Sequence, residues 1–268
     1  MKAGFLAGGQ GPLFYILHEP VDRPVHGCVL YVPPFAEELN KSRRMAARQA
    51  RLLAEQGYAV FMPDLYGCGD SGGDFADARW QDWLTDLGIG LDWLQERYPG
   101  PVILWGLRAG CLLISELLQS RQVTPAAVLY WQPVSDGERY LAQFLRLRMA
   151  AGMMGSAKET TGQLRARLEE GETLEVAGYA LAPALADALA GARLVAMPGT
   201  PLAWLEVAHG DPPELPPVST RLIDQWREQG MTIHAAAVRG DPFWTTQEIH
   251  EVPALLEASL AGLQAVLQ

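Results

Sequence analysis

Short apolar runs bounded by glycine and proline recur along the chain, and amphipathic stretches of helical period lie between them. That alternation leaves few solutions. The runs are too short for helices, and runs of this kind separated by helices form a mostly parallel sheet covered on both faces. The pattern predicts strands over Ala3–Ala7, Leu13–His18, Cys28–Val32, Ala59–Met62, Val102–Trp105, Ala127–Trp131, Leu202–Val207 and Thr232–Val238. The first two, joined across Gly8-Gly9-Gln10-Gly11, read as an antiparallel hairpin. Helices are predicted over Ser42–Gln56, Ala78–Tyr98, Cys111–Ser120, Thr220–Gln229 and Ala254–Leu267.

One segment breaks the alternation. From Pro133 to Arg193 the chain has helical composition and no strand, as in QFLRLRMAAGMM, TGQLRARLEEG and APALADALAGA. An all-helical insertion between two sheet strands predicts a cap over the C-terminal edge of the sheet, the edge at which open α/β sheets bind ligands. The expected organisation is therefore a core of residues 1–133 and 194–268 with a cap of residues 134–193 and a pocket between them.

Length and charge narrow the partners. A chain of 268 residues buries enough surface to fold without disulfide or metal staples. Its net charge of −10 is the opposite of what phosphate binding requires, so neither nucleic acid nor an anionic membrane surface is an expected partner. Three cysteines, Cys28, Cys68 and Cys111, form no CxxC pair and read as reduced thiols. The N-terminal stretch is interrupted by glycine and proline too early for a secretory leader, and no apolar run of 18 residues exists, so a cytoplasmic protein without a membrane span is expected. No His/Asp/Glu cluster has metal-ligand spacing, and neither metal nor cofactor is expected.

Two segments compete for the role of a G-x-S-x-G turn presenting a nucleophile. The literal match is Gly69-Asp70-Ser71-Gly72-Gly73, but it lies past its strand in DLYGCGDSGGDF and no helix follows it directly. It reads as a loop crossing the top of the sheet. The topologically correct turn is Gly106-Leu107-Arg108-Ala109-Gly110, which leaves the strand VILW and opens the helix CLLISELLQ without a gap. Its centre is Arg108, whose guanidinium stays cationic and cannot attack.

A Ser-His-acid mechanism also needs a base and an acid. The base belongs after the last strand, yet Arg239-Gly240-Asp241-Pro242-Phe243-Trp244 holds no histidine, and His250 follows only later. The acid's place after the seventh strand offers Asp211 in HGDP, with Glu206 at the strand end as the alternative, and His209 beside them. Cys111, at a helix start where a thiol pKa can fall, reads either as a buried small residue or as a further nucleophile.

These residues resemble those of the α/β-hydrolase superfamily. The runs PPFAEELNKSRRMAARQARLLAEQGYAVFMPDLYGCGDSGGDF, ARWQDW, LWGLRAG, QFLRLRMAA, EVAGYALAPAL and DPFWTTQEIHEVPALLEASL resemble one of its families, the exosortase A system-associated hydrolase 2 proteins, over nearly the whole chain. The resemblance implies an α/β-hydrolase fold with an eight-stranded, mostly parallel sheet, helices on both faces and a helical cap inserted after the sixth strand. It implies a bacterial protein encoded beside exosortase and exopolysaccharide genes, with a protein partner in that system, and arginine as the ordinary state of its GLR motif.

Read from the residues, the altered turn supports two outcomes. Arg108 at a helix N-terminus, Leu107, and the loop after the third strand, Pro33-Pro34-Phe35-Ala36-Glu37-Glu38-Leu39-Asn40-Lys41, can form an anion pocket for a carboxylate, phosphate or uronate. Alternatively Arg108 pairs with Glu37, Glu38, Asp64 or Glu206 and closes the site. Trp105, Trp131, Trp204 and Trp244 fall near strand ends, either as a rim that stacks on sugar faces or as packing between sheet and helices. Three functions stay open: an esterase-like enzyme using non-standard residues, a non-catalytic binder of an anionic or sugar ligand, and a scaffold protein.

Overall fold

The computed structural model describes residues 1–121, 123–152 and 159–268. The chain opens with the antiparallel hairpin β1 (Lys2–Ala7) and β2 (Pro12–His18), then β3 (Gly27–Val32), α1 (Glu37–Glu55), β4 (Tyr58–Pro63), α2 (Trp80–Arg97), β5 (Val102–Leu107), α3 (Gly110–Ser120) and β6 (Ala127–Trp131). An insertion follows: α4 (Gly137–Gly152), α5 (Thr161–Glu169), β7 (Leu174–Val176), β8 (Tyr179–Leu181) and α6 (Pro183–Gly191). The core resumes with β9 (Leu202–Ala208), α7 (Pro217–Glu228), β10 (Ile233–Arg239) and α8 (Pro253–Leu267). Eight strands form one sheet in the order β1-β2-β4-β3-β5-β6-β9-β10, parallel from β4 onward and antiparallel at β1 and β2. This is the α/β-hydrolase fold, with its cap after the sixth strand.

Alternation along the strands divides the core between two faces. Val29, Ile103, Trp105, Leu107, Leu129 and Trp131 pack against α1 and α8. Leu30, Leu104, Val128, Tyr130 and Trp204 pack on the other face, against α2, α3, α7 and the cap.

Two expectations change. The insertion is not all-helical, because β7 and β8 form a hairpin across Ala177 and Gly178, whose φ angles are 51° and 84°. Leu174, Val176 and Leu181 are buried, so three-residue strands suffice to carry a hairpin face. Helix α1 begins at Glu37, five residues before the expected Ser42, since its polar first turn is drawn inward by an ion pair. The last residues of the expected QFLRLRMAAGMM helix, Met153 and Met154, lie outside the described residues. Among the described residues no helix is long and apolar enough to cross a membrane.

Candidate functional site

The turn from β5 into α3 has the geometry of a nucleophile elbow. Arg108 sits at φ 55°, in the left-handed region that costs a bulky residue energy unless its surroundings hold it there. Its N–H donates to the Trp131 carbonyl at 3.0 Å, and its own carbonyl accepts from Cys111 N–H at 3.1 Å and Val134 N–H at 3.3 Å. The flanking glycines allow this fit. A Cβ on Gly110 would stand 2.3 Å from the Val32 carbonyl oxygen, and one on Gly106 would stand 2.8 Å from Ile114 Cδ1.

The Arg108 side chain is 14% exposed and pairs with Glu38, itself 5% exposed, at 3.2 Å from Nε to Oε1. The other Glu38 oxygen accepts from the Tyr140 hydroxyl at 2.8 Å. Tyr140 and Trp244 rings flank the guanidinium, with centroids 5.4 and 5.3 Å from its central carbon. A longer bond, 3.4 Å, reaches the Gln132 carbonyl. Burial pulls the guanidinium pKa down, but the Glu38 charge and hydrogen bond outweigh it and hold the group above its ordinary value. Of the four acids weighed as partners, Glu38 takes the role.

Glu37, one residue earlier, is half-buried and its Oε2 is buried without a hydrogen-bond partner among the described residues. Burial raises its pKa and the Glu38 charge adds to the rise, while its own N–H, Lys41 and Arg108 oppose it. Pro34 and Phe35 are buried in the turn before α1; Phe35 meets Phe75, Trp83, Tyr140 and Phe144 at edge-on angles and so joins the core to α4. Beside them lies an apolar cavity of about 10 Å³, lined by Pro34, Phe35, Leu65, Cys68, Trp83 and Ala109 among others, with room for no more than a water.

The remaining expected site residues disperse. Asp211 is 79% exposed and pairs with Arg239 at 3.2 Å, so it does not serve as a buried acid. Glu206 is buried and accepts from Trp204 Nε1 at 2.7 Å and Gln132 Nε2 at 3.1 Å. It thereby orients Gln132, whose Oε1 accepts from Val207 N–H at 2.7 Å. His250 and His209 each place Nδ1 3.6 Å from a different oxygen of Asp241. His209 follows β9 while Asp241 and His250 follow β10, so the His209–Asp241 pair is the reverse of the arrangement sought, and all three are at the surface. Among the described residues no group of three or more His, Cys, Asp or Glu side chains is placed to hold a metal ion.

Trp105, Trp131 and Leu107 are corrections. All three are fully buried between the sheet and α1/α8, because strand side chains point to the sheet faces and not to its edge. Trp131 Nε1 donates to Ser259 at 2.7 Å. Trp204 is buried on the opposite face against Trp226, so only Trp244 of the expected rim reaches the elbow. The Cys111 thiol is buried and its pKa is raised well above the ordinary value by burial, the reverse of activation. Ser71 is structural: its hydroxyl donates to the Asp64 carbonyl and accepts from Phe14 N–H at 2.8 Å. Tyr140 and Gln132 carry no sequence signal for their roles, since one depends on the cap's docking and the other on a turn with φ 44°.

Known proteins share this fold. The fold is similar to a carboxyl esterase from Bacillus coagulans (TM-score 0.69, 12% identity, covering 100% of this chain and 99% of that one). It is also similar to Est1E from Butyrivibrio proteoclasticus, a structure with ferulic acid bound (TM-score 0.66, 18% identity, covering 99% and 100%). A serine hydrolase without a lid from Xanthomonas campestris aligns with TM-score 0.59 at 14% identity, covering 98% and 93%. No curated protein sequence matches the chain. The family model described as serine aminopeptidase, S33, matches residues 23–188, more than half of the chain. The chain belongs to this serine aminopeptidase S33 family of α/β-hydrolases.

Proposed function

We propose that this family member does not carry out Ser-His-acid hydrolysis and acts as a non-catalytic binding protein. In this reading it is a cytoplasmic component of a bacterial exosortase A-associated exopolysaccharide system, where it meets a small or glycan-related ligand and a protein partner. One observation carries the loss of catalysis: the elbow position that should present a nucleophile presents Arg108, buried and neutralised by Glu38. A guanidinium offers no nucleophilic lone pair at physiological pH, and a hydrolase of this design needs both a nucleophile and its base. The exosortase link is supported by the sequence runs that resemble that family.

The test is hydrolysis of a p-nitrophenyl ester panel by wild type and Arg108→Ala. Neither is expected to exceed the buffer rate. Turnover by wild type above the buffer rate refutes the proposal, and its loss in Arg108→Ala would give Arg108 the catalytic role. For the cellular setting, deletion of the gene is expected to lower exopolysaccharide yield, and an unchanged yield removes that link.

The second reading, an esterase using non-standard residues, draws on the transposed His209–Asp241 contact at 3.6 Å. Its prediction is ester turnover that survives Arg108→Ala and is lost in His209→Ala.

A further inference from the structure

Both oxygens of the Glu38 carboxylate are held by donors from elements other than its own helix. Arg108 Nε, on the elbow, meets Oε1 at 3.2 Å, and the Tyr140 hydroxyl, on α4, meets Oε2 at 2.8 Å. The cation has further support that does not depend on Glu38, from the two flanking rings and the Gln132 carbonyl. A fixed guanidinium, a phenolic donor and aromatic walls in a dry setting are the parts that bind a planar carboxylate.

Glu38 fills this arrangement from outside it, entering from the first turn of α1. Its neighbour Glu37 is close enough for Arg108 to act on its charge, yet Glu37 Oε2 is buried with no hydrogen-bond partner among the described residues. Two carboxylates thus adjoin one buried cation, and only one is seated.

We propose that the Arg108–Tyr140 pair is a receptor for the carboxylate of a ligand, and that Glu38 is its resident occupant, displaced when the ligand binds. The inference rests on the non-catalytic reading of the elbow and names the ligand class for that site. The carboxylate can belong to an acyl chain or to a sugar acid. The free Glu37 oxygen provides an acceptor for a hydroxyl of the second kind. Since the adjoining cavity has a volume of only about 10 Å³, binding must move the Glu38 side chain out of its seat.

Isothermal titration of the whole chain with sodium acetate, hexanoate and glucuronate tests this. In Glu38→Gln the amide keeps the volume and removes the competing charge, so at least one of the three is expected to bind ten-fold or more tighter than to wild type. The gain is expected to vanish in Glu38→Gln/Arg108→Met and to shrink several-fold in Glu38→Gln/Tyr140→Phe. Tighter glucuronate than hexanoate assigns a sugar acid, and the reverse order assigns an acyl ligand. A folded Glu38→Gln no better than wild type for all three, or a gain that survives Arg108→Met, overturns the proposal.

If Glu38→Gln does not fold, Glu38→Asp withdraws the carboxylate by one methylene and takes its place. A saturable change in tryptophan emission is expected, since Trp244 lies against Arg108, and its absence in both wild type and Glu38→Asp also overturns the proposal. Ester turnover by wild type refutes the non-catalytic reading and leaves the titrations standing, so the two failures are separable.

Discussion

The Arg108–Glu38 pair should dominate the energetics of the sheet edge, and its two halves should not be equivalent. With side chains only 14% and 5% exposed, the pair is largely removed from water. Removing one partner of such a pair strands a charge, at a cost of about 3–5 kcal/mol. Glu38→Leu strands the guanidinium and also deprives the Tyr140 hydroxyl of its acceptor at 2.8 Å, so its cost should reach the top of that range, about 5 kcal/mol. Arg108→Met leaves Glu38 with the Tyr140 hydrogen bond, so it should cost about 3 kcal/mol, the lower end of that range. The double variant removes both charges of the pair and leaves an unpaired phenol, and should lie within about 2 kcal/mol of wild type. Urea denaturation followed by far-UV circular dichroism measures all three. In thermal melts the Glu38→Leu loss corresponds to a drop of roughly 10–20 °C. A Glu38→Leu cost under about 1 kcal/mol, or a double variant as unstable as the two singles summed, would falsify this account of the site.

Three further outcomes follow from the same structure. Ser71→Ala should lower stability by about 1–3 kcal/mol in thermal denaturation, by freeing Phe14 N–H and the Asp64 carbonyl, and leave carboxylate binding unchanged; a loss of binding without a loss of stability would contradict its structural role. His18 is 3% exposed and burial, with nearby positive charge including Arg51, lowers its pKa from 6.5 to about 4. The unfolded chain therefore holds the extra proton between those values, so stability should fall as pH drops from about 6.5 to about 4, by at most about 3 kcal/mol, and His18→Phe should flatten that limb; an equal slope in the variant assigns the acid sensitivity elsewhere. Cys111 should resist iodoacetamide at pH 8 in the native protein and react in urea, read by peptide mass mapping; rapid native labelling would mean that its thiol is not held protonated by burial.

Much of the fold was legible because its signals are local. Buried strands read as apolar runs, and the elbow read as two glycines around a strand-to-helix junction, with Arg108 at its centre. What was not legible depends on direction or on partners far along the chain. Trp105 and Trp131 lie near strand ends in sequence, yet period-two alternation turns them into the α1/α8 core. The polar start of α1 hides its membership of the helix, because Glu38 is buried through an ion pair and contributes nothing to hydrophobic periodicity. The β7–β8 hairpin is too short to show alternation. Tyr140 joins the site only when α4 docks, across 102 positions of sequence from Glu38.

The insertion after β6 also bears on how the chain assembles. Strands β6 and β9 are hydrogen-bonded neighbours, yet the segment from Gln132 to Pro201 separates them. Loop-closure entropy rises only with the logarithm of length, so bridging that gap costs about 2 kcal/mol more than bridging a five-residue turn. The larger effect is kinetic, because a pairing so distant in sequence forms slowly. Until it forms, β6 has an unpaired edge, and β9 and β10 have nothing to extend. Docking of Tyr140 and Phe144 onto Phe35 draws α4 against the first half of the core and shortens the distance that β9 must search. A cap docked there before β9 pairs would act as a tether that brings the second half of the sheet to the first.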